Sequence, residues 1–293
     1  MNDINKKNGT GKIREILKRT LYRGYIARQR CVFPFRKNTP ATLSAGILAC
    51  LLWGMAGRIC PALAAPLPGV GFSFSRVVMM EENRGGATVD VRNTTPDVYL
   101  MQSRVVGADA ATGMPVERKE GPAPFLVLPP LKRVEAQGTL PLRIVAAPAG
   151  TARLPHDRES VFFLAVRAIP ALPAPETVKD GKGRVTVALA NYIKLYWRPK
   201  GLKSAAISDV ADTLSFSRDG DRLKVTNPSA YYLTFRSLTV GGKPVVDAAL
   251  AAMVPPRGSQ DYPLPDGVTG GTVSWRLIDE YGLPTSEQQE TVR

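Results

Sequence analysis

Downstream of Pro66 the apolar residues come in short runs that alternate with polar ones or are rich in β-branched side chains, and each run is closed by Gly, Pro, Asn or Asp. A period of two is the signature of strands with one buried face, and the 3.6-residue period of a helix persists nowhere. The pattern predicts strands over 72–79, 88–92, 99–106, 140–145, 161–169 and 185–196. Asn93-Thr94-Thr95-Pro96-Asp97 is a turn cluster between two of them, and a Pro-rich connection runs from Pro170 to Arg184. After Arg198-Pro199-Lys200-Gly201 the pattern restarts with runs at 213–217, 223–226, 231–240 and 272–278 and a hairpin turn at Asp219-Gly220. The reading is all-β, two sandwiches over 65–201 and 202–293, both of ordinary domain size.

Residues 1–64 follow another plan. A basic stretch ends at Arg36-Lys37, an apolar run follows over 41–57, and Ala62-Leu63-Ala64 supplies a small-x-small site. That order is the order of a secretory signal, with cleavage expected after Ala64. It also changes the meaning of the net charge of +14. The leader holds 12 basic and 2 acidic residues, so the body keeps 27 of the 39 basic and 23 of the 25 acidic residues. A body with mixed-sign charge and no Lys/Arg block gives no footing for nucleic acid. Cys31, Cys50 and Cys60 all lie in the leader, so the exported chain folds without disulfides.

The body offers little to an enzyme. His156 is the one histidine, in the charged turn Leu154-Pro155-His156-Asp157-Arg158-Glu159, where a solvated residue is expected. Asp157 and Glu159 each have arginine nearby and read as ion-pair members more readily than as an acid–base pair. The sequence carries no phosphate-cradling or dinucleotide glycine motif and no zinc spacing, so neither metal, cofactor nor small-molecule substrate is expected. Function is therefore sought in binding. Val185-Thr186-Val187-Ala188-Leu189 alternates large and small side chains and runs on through Ile193-Lys194-Leu195-Tyr196-Trp197-Arg198-Pro199. Alternation alone describes any half-buried strand as well as a strand made for a partner.

Nine segments in order resemble the PapD-like pilus-assembly chaperones of the chaperone-usher pathway. They are Ser75-Arg76-Val77-Val78, Val98-Tyr99-Leu100-Met101-Gln102-Ser103, the stretch from Pro124 to Arg133, Leu142-Arg143-Ile144, Leu154 to Ser160, Ala168-Ile169-Pro170, Ile193 to Pro199, Asn227-Pro228-Ser229-Ala230-Tyr231-Tyr232 and Ile278-Asp279-Glu280-Tyr281-Gly282. The resemblance implies two immunoglobulin-like sandwiches at an angle and a periplasmic protein that caps pilus subunits by lending them an edge strand before handing them to an outer-membrane usher. It implies that Val185, Val187 and Leu189, continued by Ile193, form the donor strand. Arg76 and Lys194 would bind the subunit's C-terminal carboxylate, and Glu159, Arg198 and Glu280 would join the two domains by salt bridges, Glu280 standing where the family has aspartate. The alternative is an immunoglobulin-like adhesion or binding protein without chaperone activity.

Overall fold

The computed structural model describes residues 68–117, 121–171, 187–268 and 270–292. The expected signal at 1–64 and the expected donor residue Val185 lie outside the described residues. The first sandwich is built from β1 (Val70–Phe72), β2 (Arg76–Met80), β3 (Ala87–Asn93), β4 (Tyr99–Asp109), β5 (Met114–Val116), β6 (Phe125–Leu128), β7 (Leu131–Val134), β8 (Thr139–Ala146), β9 (Ser160–Pro170) and β10 (Leu189–Arg198). One sheet has the order β1-β3-β8-β6, and the other β2-β10-β9-β4-β5 with β7 also on β4.

The run expected as one strand over 72–79 is two. Ser73, Phe74 and Ser75 bend the chain, so that β1 pairs antiparallel with β3 in one sheet while β2 crosses to the other and pairs with β10. The β2–β10 ladder is parallel, whereas the other ladders between the described strands are antiparallel. Two neighbouring ladders decide what the sheet leaves open. β10 pairs with β9 from Leu189 to Trp197, but with β2 only from Lys194 to Arg198.

β9 explains why its sequence is apolar at both parities. Phe162, Leu164, Val166 and Ala168 face the core between the sheets, with Val89, Leu142, Ile144, Leu195 and Trp197. Val161, Phe163 and Ala165 on the opposite face are buried as well. A strand covered on both faces takes a continuous apolar run, not an alternating one.

The second sandwich contains β11 (Ser215–Asp219), β12 (Arg222–Asn227), β13 (Phe235–Val240), β14 (Lys243–Pro244), β15 (Gly258–Pro263), β16 (Gly271–Leu277) and β17 (Gln288–Val292). Its sheets are β11-β12-β15 and β14-β13-β16-β17. The Phe216 and Trp275 rings pack with centroids 4.5 Å apart, and the Trp275 indole N–H donates to the Ala211 carbonyl at 2.9 Å, so the core keeps no unpaired indole donor. The two sandwiches meet at Met253, fully buried against Val161 and Tyr196, with the Met253 amide donating to the Ala110 carbonyl at 2.8 Å.

Candidate functional site

β10 runs past the core it helps to build. Its odd-numbered residues share one face, and Ile193, Leu195 and Trp197 on that face are buried between the sheets. Each contributes about 1.5–3 kcal/mol of apolar burial. Ile193, expected in the donor strand, is thus a core residue at 7% exposure, because the facing sheet still covers the strand at its position. Two residues earlier the amide of Asn191 donates to the Val70 carbonyl at 2.7 Å and marks the rim. Beyond the rim Leu189 and Val187 stay on the core-facing side but have no core beneath them, and are 52% and 64% exposed. The free edge coincides with the overhang: from Leu189 to Ile193, β10 has β9 on one side and no described strand on the other.

The open lane ends at two cations. In the parallel register Arg76 lies opposite Lys194. The Arg76 guanidinium donates through Nη1 to the Ile278 carbonyl at 3.0 Å and stands 5.9 Å from the Tyr196 ring, while its buried Nε has no partner among the described residues. Lys194 donates from Nζ to the Thr234 hydroxyl at 3.2 Å. Neither makes an ion pair with a carboxylate among the described residues. Burial, and then the charge of Arg76, bring the Lys194 ammonium down to about 8. Two adjacent cations that pair with no carboxylate among the described residues thus stand where the β2 ladder stops and the open edge of β10 begins.

Behind the cations lies a buried ion cluster. Arg198, 1% exposed, donates from Nε to Glu159 at 2.7 Å and pairs through Nη1 with Glu280 at 2.9 Å. The same Nη1 reaches the carbonyls of Lys203 and Ser204, both at 2.8 Å. Glu159 also accepts the Tyr232 amide at 2.8 Å, and Glu280 those of Ala206 and Ile207 at 2.8 and 3.1 Å. The methylene that Glu280 has beyond an aspartate therefore does not take it out of reach of Arg198. Burial pushes the Glu159 carboxyl up to about 7 against the pull of Arg198. The gap bordered by Arg76, Tyr196, Glu159, Arg198 and Glu280 holds about 10 Å³, scarcely one water, so the cluster joins protein to protein and is no ligand site.

Several participants had a sequence signal but no assigned role. Tyr231 and Tyr232 belong to the segment Asn227 to Tyr232; the first lies under the Arg198 guanidinium at 4.7 Å, and the second supplies its amide to Glu159. Thr234 and Met253 carry no motif. His156 is exposed, and Asp157 pairs with Arg257 at 2.6 Å and Arg158 at 3.2 Å.

Residues 69–203 match the family model for the pili and flagellar-assembly chaperone PapD N-terminal domain, and residues 209–289 the pili assembly chaperone PapD C-terminal domain. The chaperone protein FocC of Escherichia coli is 32% identical over 225 residues, covering 77% of this chain and 91% of FocC. FimC of Escherichia coli strain K12 is 31% identical over 250 residues, 85% of this chain and 95% of FimC. Among solved structures, a chain of the Salmonella enterica SafA pilin–SafB chaperone complex matches with a TM-score of 0.63 and 32% identity over 78% of this chain and 98% of that one. The Escherichia coli chaperone DraB matches with a TM-score of 0.63 and 31% identity over 78% and 98%. Matched in both domains and along nearly the whole length of its relatives, the chain belongs to the PapD family of pilus-assembly chaperones.

Proposed function

We propose that this protein is a periplasmic chaperone, exported by the leader at 1–64, that caps pilus subunits with β10 and the residues before it until an outer-membrane usher takes them; it performs no catalysis. The observation that carries the reading is the overhang: Val187 and Leu189 are exposed on the core-facing side of a strand with a free edge. Only apolar surface brought from outside can bury them. A subunit that exposes its own core along a missing strand has that surface, and β-augmentation adds main-chain hydrogen bonds to it. With Val185, three side chains contribute about 1.5–3 kcal/mol each before ordering costs. Unoccupied, such an edge invites aggregation, which gives a reason for the chaperone and its cargo to meet early.

The direction of the captured strand follows from the ladders. A strand in the lane that β2 occupies further on, with its carboxylate beside Arg76 and Lys194, runs parallel to β10, as β2 does. The cations then fix the register, and a parity error would turn every side chain to the wrong face. Glu159, Arg198 and Glu280 hold the two sandwiches at the angle that keeps Ile278 and Thr234 against the cations.

The test is co-expression of the mature chain with a pilus subunit lacking its last strand. Stable co-purification is expected for the parent protein, with loss in Arg76→Ala, in Lys194→Glu and in the double change of Val187 and Leu189 to Thr, all three folded by circular dichroism. Undiminished recovery with the cation variants would overturn the carboxylate site, and with the double variant the donor strand.

A further inference from the structure

The two sandwiches repeat one turn. In the first, the buried Asn93 donates from Nδ2 to the carbonyl of Asp97, four residues on, at 2.7 Å and to that of Glu135 at 2.9 Å. Its Oδ1 accepts the Thr95 amide at 3.1 Å and the Thr95 hydroxyl at 2.7 Å. In the second, the buried Asn227 donates from Nδ2 to the carbonyl of Tyr231, again four residues on, at 2.7 Å and to that of Pro255 at 3.1 Å. Its Oδ1 accepts the Ser229 amide at 2.9 Å and the Ser229 hydroxyl at 2.7 Å. A turn folded over its own interior leaves N–H and C=O groups pointing inward, and one asparagine amide answers both kinds. An aspartate would offer acceptors only, and an alanine neither.

What surrounds the two turns differs. The Asn93 turn bonds to Gly69, Glu135 and Gln137 of its own sandwich. The Asn227 turn faces the other sandwich. Its Ala230 carbonyl accepts the Glu159 amide at 2.9 Å, and its Ser229 carbonyl accepts the amide of Arg257, whose guanidinium reaches Asp157 at 2.6 Å. The four residues from Tyr231 to Thr234 then carry the Tyr231 ring against Arg198, the Tyr232 amide on Glu159 and the Thr234 hydroxyl on Lys194. We infer that Asn227 is a positioning residue for subunit capture: it holds the turn that aims residues 230–234 at Glu159, Arg198 and Lys194, and so sets where the second sandwich stands beside the cations. For its consequence in capture the inference rests on the reading above; for its hold on Glu159 it does not.

Asn93 supplies the control, because Asn93→Ala and Asn227→Ala remove matching bonds from matching turns, and a role confined to folding would make the two variants alike. Both are expected to lower the melting temperature of the full mature chain. Only Asn227→Ala is expected to move the titration of the Glu159 carboxyl upward, read by carbon-13 NMR. Burial pushes that carboxyl up and the Tyr232 amide is among the groups that pull it back, while neither substitution touches Arg198 or Glu280, which face it as well. Only Asn227→Ala should also capture less of a strand-deleted subunit in competition with the parent protein, by about tenfold, the scale of one hydrogen bond to a charged group. Thr95→Ala and Ser229→Ala, which remove one hydroxyl from each turn, make the same comparison at smaller amplitude should Asn227→Ala not fold. A Glu159 titration left in place by the second-sandwich variant, or moved equally by its first-sandwich counterpart, would overturn the inference. A displaced titration with undiminished capture would overturn the part of Asn227 in capture. Failure of the parent protein itself to capture the subunit would overturn the capture reading, and the titration would still decide whether Asn227 positions Glu159.

Discussion

Lys194 faces Arg76 across a ladder and its ammonium donates to the Thr234 hydroxyl, so folding asks an ammonium to sit half-buried beside a like charge. Its proton is released at about 8, against 10.5 for an ordinary lysine. The sign for stability follows directly. Between those two values the unfolded chain binds the proton and the folded chain does not, so this group makes the free protein more stable as pH climbs from about 8 to 10.5. Carboxylate binding has the opposite dependence, because the anion needs the charged form and holds the proton on. The expected result is an affinity for carboxylate-terminated peptides that falls about tenfold from pH 7 to pH 9, with proton uptake on binding near pH 8. Calorimetry in buffers of different ionisation enthalpy measures both. A flat profile, unchanged in Lys194→Met, would show that Lys194 is not a carboxylate ligand. The same substitution should raise the melting temperature of the free protein at pH 7, since it removes a cation that folding buries beside the like charge of Arg76.

Within β10 the core ends and the free edge begins over four residues, and this division yields a sharp contrast. Ile193→Ala hollows the core and should cost about 2–5 kcal/mol in chemical denaturation, whereas Leu189→Ala, at the same parity, should stay within about 0.5 kcal/mol and lose subunit capture. If both cost alike, Leu189 packs in the free protein and the overhang is wrong. The sequence could not draw this line. Ile193 and Leu189 have the same alternation and similar side chains, and what separates them is where the facing sheet stops. The same limit explains the single strand read over 72–79, since alternation carries through Ser73 and Ser75 although the chain changes sheets there. β7 went unread because Leu131-Lys132-Arg133-Val134 buries only its valine, and β15 because Gly258-Ser259-Gln260-Asp261-Tyr262-Pro263 buries only its tyrosine. By contrast the long apolar runs of β4, β9 and β10 were legible, and the charged site residues could be named from resemblance. Thr234 and Met253 could not, because their importance lies wholly in what the second sandwich brings against the first.

At the scale of the molecule the question is what fixes the angle between the sandwiches, since Arg76 and Lys194 each reach across to the second one for a partner. Two contacts of different physics contribute besides the packing at Met253. The buried Arg198 cluster is directional, and removing Arg198 would leave Glu159 buried without its cation, a change of about 3–5 kcal/mol. Such a cluster specifies geometry more surely than it adds stability. The second contact is steric. The turn after β4 carries Gly113 at φ 70°, and a Cβ there would overlap the Ala251 carbonyl across the boundary. Gly220, at φ 62°, has nothing within 4 Å of the equivalent position. Gly113→Ala and Gly220→Ala thus share a left-handed backbone penalty of about 1–2 kcal/mol, and only the first adds a clash between domains. Gly113→Ala should keep the circular dichroism of both sandwiches, change the small-angle scattering profile, split thermal unfolding into two transitions and weaken binding of carboxylate-terminated peptides; Gly220→Ala should lower the melting temperature alone. Were the two variants indistinguishable in scattering and peptide binding, the turn at Gly113 would be a passive neighbour, and the angle that presents Ile278 and Thr234 to the cations would rest on the remaining contacts between the sandwiches, the Arg198 cluster and the packing at Met253 among them.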